Sequence, residues 1–267
     1  MRIRKPVVAG AFYPLSGEEI KQMWIEWGKA NFDDERVPLD KYDRIHAIVS
    51  PHAGYMYSGE VASRVYSLLE RASKPSHVLL LGPSHHVYLH DIAAPSVTHF
   101  ETPLGQIALD EALIAKLAKR GDIIINDAPH LREHSLEVQL PLIQLALDSD
   151  IKLVPLVVGD VPPERVSTLL DSILEQHPDT LVIVSTDLSH FHSYGEANLI
   201  DQKTTRKIIA LDTSVEPQEA CGCRPLNGLL LWAREKHLDV DEVARCNSGD
   251  TAGTRDRVVG YGAYVVH

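Results

Sequence analysis

Three continuous apolar runs, HVLLL (77–81), IKLVPLVVG (151–159) and TLVIVST (180–186), set the narrowest limit on how this chain folds. A strand with one face in water alternates apolar and polar residues, so a strand apolar at nearly every position is covered on both faces. A fourth short run, IHAIVS (45–50), ends at Pro51. Helical patterns separate these runs. SGEEIKQMWIEWGKA, from Ser16, spaces Ser16 and Glu19 as a capping box and places Ile20, Met23, Trp24 and Trp27 on one stripe. Further helices are expected on the Val61–Leu69 face, around Leu113–Leu117, from Ser135 onward, over PPERVSTLLDSILEQH (162–177), and near 196–211 and 225–237. Pro141 should bend the helix after Ser135 or shift its start.

Strands alternating with helices of this length predict a three-layer, doubly wound α/β fold, with helices on both faces of a mixed, mostly parallel sheet. The last two strand-like segments, DEVARCN (241–247) and RVVGYGAYVV (257–266), lack a crossover helix and are expected to pair antiparallel. No repeat, low-complexity segment or Pro/Gly/Ser linker interrupts the chain, which reads as one domain over residues 1–267. The formal charge of −11 argues against a nucleic-acid partner, which would demand a basic surface. No apolar stretch approaches the ~20 residues of a membrane span. Three cysteines, Cys221, Cys223 and Cys246, are too few for a disulfide framework, and we expect a cytoplasmic, reducing setting.

In open α/β sheets, ligands bind beyond the carboxyl ends of the strands. Here those ends read PHAGY (51–55), GPSHH (82–86), GD (159–160) and STDLSHFH (185–192). Turn chemistry alone explains Gly, Pro, Ser and Asp at one such place. It does not explain histidine at three of them, so His52, His85 and His190 are read together as a site. Adjacent side chains at a strand end diverge, so of His85 and His86 one faces the site and the other supports it.

Two segments stay open on their residues alone. REHSLEVQLP (132–141) offers Glu133, His134 and Glu137, either as functional groups or as a helix start in which Ser135 caps and Glu137 meets the macrodipole. In CGCRPLNGLL (221–230), one thiol is either ionised by the helix terminus and Arg224, or packs as a small apolar residue; Cys246 is expected in the core. The chain has no phosphate-binding G-x-x-x-x-G-K-[ST] loop, no G-x-G-x-x-G turn after its first strand and no G-x-S-x-G elbow. Ser185, Asp187 and His190 lie too close in sequence for a Ser-His-Asp triad.

PHAGY, GPSHH, EHSLE, STDLSH and CGxxP, in this order, resemble the motifs of the Memo-like family, and the opening AGAFYP and the closing GYGAYVV fit as well. The family is similar in fold to the class III extradiol ring-cleaving dioxygenases, which are non-haem iron enzymes. The resemblance implies metal-facing roles for His52, His85 and Cys221, with Asp187, His190 and His134 beside them. It also implies that His190 stands at the acid/base position and that Cys221 replaces the usual carboxylate ligand. The resemblance implies Fe(II), and because a thiolate is softer than a carboxylate, copper or zinc are the alternatives. The leading expectation is a metal-dependent oxidoreductase with a small-molecule cleft. The alternatives are a Cys221-dependent hydrolase or transferase, and a module that captures a peptide or protein in a non-catalytic pocket.

Overall fold

The computed structural model describes residues 1–32, 42–70, 75–147 and 150–267. In chain order the elements are β1 (Ile3–Arg4), α1 (Gly17–Phe32), β2 (Ala47–Ser50), α2 (Tyr55–Leu69), β3 (His77–Pro83), β4 (Ile92–Ala94), β5 (His99–Thr102), β6 (Gly105–Ala108) and α3 (Glu111–Arg120). They continue with β7 (Ile124–Ile125), α4 (Gln139–Ala146), β8 (Lys152–Val158), α5 (Pro163–Leu174), β9 (Leu181–Ser185), β10 (His190–His192), α6 (Tyr194–Ile209), α7 (Cys223–Glu235), β11 (Val240–Asn247) and β12 (Val258–Val266).

The main sheet runs in the order β10-β12-β2-β9-β3-β8-β4-β7, with β11 also on β12. Its centre is β2, β9, β3 and β8, all parallel, and these are the four apolar runs. β2 and β9 are buried at every residue, and β3 and β8 at every residue after the first. Helices α1, α2 and α4 pack together over one part of the sheet, and α5 and α7 pack on each other beside β3 and β9. Such cover lets Val, Ile and Leu point both ways from one strand. The closing strands β11 and β12 pair antiparallel, and β12 continues antiparallel onto β2.

Antiparallel pairing also occurs on the other flank, where β4 meets β8. A separate sheet of β1, β5 and β6 completes the strands. These elements are only two to four residues long, and β6 and β7 are largely exposed, so no apolar run announces them. Cys246 lies on β11 and is only partly buried, packed against the edge of the core instead of within it. No described helix is long and apolar enough to cross a membrane.

The helix expected from Ser135 begins at Gln139, which puts Pro141 in its first turn. An amide there has no intrahelical partner, so proline costs nothing in hydrogen bonding. Gln139 is fully buried and cross-links three elements. Its Nε2 donates to Pro51 O at 2.9 Å and to Ser185 Oγ at 2.8 Å, and its Oε1 accepts from Tyr66 Oη at 2.9 Å.

At the end of β8 the chain comes very close to the loop after β3. Asp160 N donates to Leu89 O at 2.7 Å, and a Cβ on Gly159 would sit 2.1 Å from that same oxygen. Gly159→Ala therefore has to push backbone away from backbone, at an expected cost of about 1–3 kcal/mol. Urea unfolding should show a lower midpoint at an unchanged slope, and an unaltered midpoint would contradict the close approach.

Candidate metal centre

The loops leaving β2, β3 and β9 bring their polar residues to one edge of the sheet, where the turn before α4 meets them. His52 stands two residues after β2 and is almost completely buried. Its backbone N–H donates to Asp187 Oδ1 at 2.7 Å, and its Nδ1 lies 2.9 Å from Ser185 Oγ. Ser185 gives its one proton to Ser135 O at 2.6 Å, so toward His52 it can only accept. The imidazole is thereby fixed with its proton on Nδ1 and its Nε2 lone pair toward the cleft.

His85 follows β3. Its Nδ1 is 2.8 Å from Glu133 Oε1, and its backbone N–H donates to Glu133 Oε2 at 2.7 Å. His134 enters from the turn before α4, with its Nδ1 3.5 Å from Glu133 Oε1. Its ring stacks on His85 at 4.7 Å and is flanked by Phe12, also at 4.7 Å. His52, His85 and His134 each offer a ring nitrogen within 4.8 Å of the others, a spacing that suits one metal ion. Cys221 adjoins this group, with Sγ 3.3 Å from His52 Nε2 and accepting from Asp187 N–H at 3.3 Å. Asp187 Oδ2 lies 4.0 Å from His52 Nε2. His190, on β10, donates from Nδ1 to Leu188 O at 2.8 Å, which leaves its Nε2 free.

The protonation states follow from burial. Burial, and then the neighbouring His85, lower His52 to about 3. Burial and the charges of His52 and His85 lower His134 to about 4. Both rings are thus neutral near pH 7 and carry lone pairs. Burial also raises Asp187, partly against its hydrogen bond from His52. Burial would raise Glu133 too, but its bonds to His85 and the Ser135 amide outweigh this and hold the carboxyl well below its ordinary range.

The thiols behave otherwise than the helix-terminus argument suggests. Burial and the nearby Asp187 push Cys221 up to about 12, and burial raises Cys223. Arg224 does not turn to Cys221 but pairs with Asp160 at 2.5 Å. In the metal-free chain Cys221 is a protonated thiol.

Beside this cluster opens a cavity of about 520 Å³, lined in part by His85, His86, Tyr88, Asp160, Cys221 and Arg224. The adjacent histidines separate. Both are exposed, but His85 is held by Glu133, whereas the His86 ring lies 6.3 Å from His134. The sequence did not single out Glu133 or Ser185 as supports of the cluster. Glu133 reads equally well as a helix-start residue, and only its 1 % exposure marks it as a buried charge that needs partners.

The turn that carries Glu133 and His134 is held from the amino-terminal segment. Arg4 donates from Nε to His130 O at 2.8 Å, from Nη2 to Glu133 O at 2.7 Å and from Nη1 to Glu137 Oε2 at 2.7 Å. His130 is itself buried, and burial, aided by Arg4, lowers it to about 4 although its bond to Ala93 O acts the other way. An unfolded histidine titrates near ~6.5. Between these values the unfolded chain binds a proton that folded His130 refuses, so this contribution is complete above the unfolded value and stability falls as the pH drops toward 4. His130→Gln should reduce the slope of stability against pH in that window by up to about one proton. Equal slopes in denaturant titrations of the two proteins would refute this assignment.

A model of the family described as Memo-like protein matches residues 4–265. Relatives named MEMO1 family protein, from Saccharolobus islandicus, Saccharolobus solfataricus and Sulfurisphaera tokodaii, are each 34% identical to this chain, over 276, 277 and 278 residues. In each case the match covers 97% of this chain and 97% of the relative. Among solved structures, an uncharacterized protein from Escherichia coli K12 superposes with a TM-score of 0.53 at 12% identity, over 82% of this chain and 99% of that one. That likeness concerns the fold alone. The match along nearly the whole chain, together with relatives at this level of identity, shows that the chain belongs to the Memo-like protein family.

Proposed function

We propose that this chain is a cytoplasmic metal-binding protein with an oxidoreductase activity on a small molecule, related to that of the extradiol dioxygenases. The observation that carries the reading is the convergence of His52, His85 and His134 from three separate loops, with one ring nitrogen from each within 4.8 Å. The donor set fits a metal. His52 and His134 offer neutral ring nitrogens beside His85, and a cation would draw the proton from the adjoining Cys221 thiol. His52, His85 and Cys221 are the proposed ligands. This mixture of nitrogen and sulfur suits Fe(II), which we favour, and also copper or zinc.

A redox-active ion in this place supplies one-electron chemistry and a Lewis-acidic position. The chain supplies the rest. The cavity of about 520 Å³ receives the small molecule against His85 and Cys221. His190, anchored through Nδ1 on Leu188 O, has Nε2 free to take up or return a proton. Asp187 holds the His52 loop through its 2.7 Å bond to the backbone, and orients the groups beside it. His134, stacked on His85, is a second proton-handling group at the same wall.

Protein purified without oxygen should carry about one equivalent of metal by elemental analysis. His52→Ala and His85→Ala should reduce this to near zero and Cys221→Ser should weaken it, whereas His86→Ala should leave it largely intact. Absence of metal from the parent chain, or equal loading of all four variants, would sink the proposal.

The hydrolase reading requires a reactive thiolate, which the partly buried, protonated Cys221 does not supply. With the metal stripped, Cys221 should alkylate with iodoacetamide at pH 7 more slowly than a free thiol, as followed by peptide mapping. Fast alkylation that ignores chelators would restore the nucleophile reading. Capture of a peptide by metal-loaded protein, with no turnover of any small molecule tried, would favour the partner-binding alternative.

A further inference from the structure

The geometry points to Glu133 as the positioning residue of this centre: one buried carboxylate sets the tautomer and the direction of His85, against which the His134 ring stacks. This inference rests on the metal-binding reading of the site. Glu133 Oε1 lies 2.8 Å from His85 Nδ1, 3.5 Å from His134 Nδ1 and 2.9 Å from the donating Ser135 N–H. Its Oε2 accepts the His85 backbone N–H at 2.7 Å. An ionised carboxylate only accepts hydrogen bonds, so the His85 ring meets it with a proton on Nδ1 and keeps its lone pair on Nε2. The His134 ring stacks on His85 at 21° with centroids 4.7 Å apart, which backs the orientation that Glu133 imposes.

The carboxylate does not choose its own position. Its residue is pinned through the main chain, where Glu133 O accepts from Arg4 Nη2 at 2.7 Å. Arg4 is fixed in turn by Glu137 at 2.7 Å and by His130 O at 2.8 Å. Strand β3 delivers His85 to one side of Glu133, and the turn before α4 delivers His134 to the other. One side chain thus joins two loops that are 48 residues apart along the chain. A metal-bound imidazole is commonly oriented through its second nitrogen by such a carboxylate, and loss of that partner lowers metal affinity by roughly 10–100-fold.

Glutamine has nearly the same volume but cannot replace this function. Its amide oxygen can accept from one donor set, while its NH2 is turned toward the second and meets N–H groups with N–H groups. Glu133→Gln should therefore weaken Co(II) binding about 10–100-fold and alter the visible absorption of the bound cobalt, with the far-ultraviolet circular dichroism unchanged. Co(II) is the probe because its spectrum reports the arrangement of its ligands, which a merely structural role would not move. If the parent chain binds Co(II) and Glu133→Gln keeps both its affinity and its spectrum, the positioning role is overturned. If the parent chain binds no Co(II), the metal reading itself fails, which is a different outcome.

A second measurement does not depend on the variant folding. In the metal-free parent chain, nitrogen-15 NMR of the imidazoles should show His85 protonated on Nδ1, the less common tautomer for an unconstrained ring. Protonation of His85 on Nε2 would overturn the inference whatever the cobalt results.

Discussion

A carboxylate buried without water must find donors for its lone pairs, and Glu137 finds five hydrogen bonds to four groups. It accepts from Arg4, from the backbone amides of Val7 and Val8 and from the Tyr13 hydroxyl, at 2.7–3.0 Å. Its side chain has 0% exposure and that of Arg4 8%. Removing one partner of such a pair leaves a charge stranded in a poorly polarisable interior, typically at about 3–5 kcal/mol. The amino-terminal segment is consequently fastened to the turn before α4, and that turn carries Glu133 and His134. The sheet provides a second fastening through Gln139, which ties the same region to Pro51 and Ser185.

The rest of the site is a product of topology. Parallel β2, β9 and β3 run in one direction, so the residues that follow them gather at one edge. Antiparallel β12 adds the segment with Asp187 and His190 to this edge. Leu188 N donates to Gly260 O and Gly260 N donates to Ser189 O, both at 2.8 Å. Backbone bonds of this kind fix the loop without spending any of its functional side chains.

Much of this architecture was legible because burial on both faces leaves a continuous apolar signature. The runs at 77–81, 151–159 and 180–186 became the central parallel strands, and the two closing segments paired antiparallel as their missing crossover helix implied. The short strands β4 to β7 escaped notice because two to four residues are too few to show a period. The strand-end rule drew attention to His52, His85 and His190. It could not reveal that Glu133, four residues before a second glutamate, would be buried between two histidines. Of the two thiol readings, the ionised one fails for a related reason. Helix terminus and Arg224 are visible along the sequence, but the neighbouring Asp187 charge and the pairing of Arg224 with Asp160 exist only in three dimensions.

The pairing of Cys221 with His52 spans 169 residues, and that of His52 with Ser185 spans 133. No short fragment of the chain therefore contains the centre, and the unfolded ensemble has almost none of it preformed. Such long-range closures make the assembled pocket a late and cooperative product of folding. Thermodynamic linkage then acts in the opposite direction. A ligand confined to the native state raises stability by about 1.4 kcal/mol for each tenfold excess over its dissociation constant. Occupancy of one small cluster thus becomes a restraint on the whole domain, felt as far away as the amino-terminal strand that Arg4 belongs to.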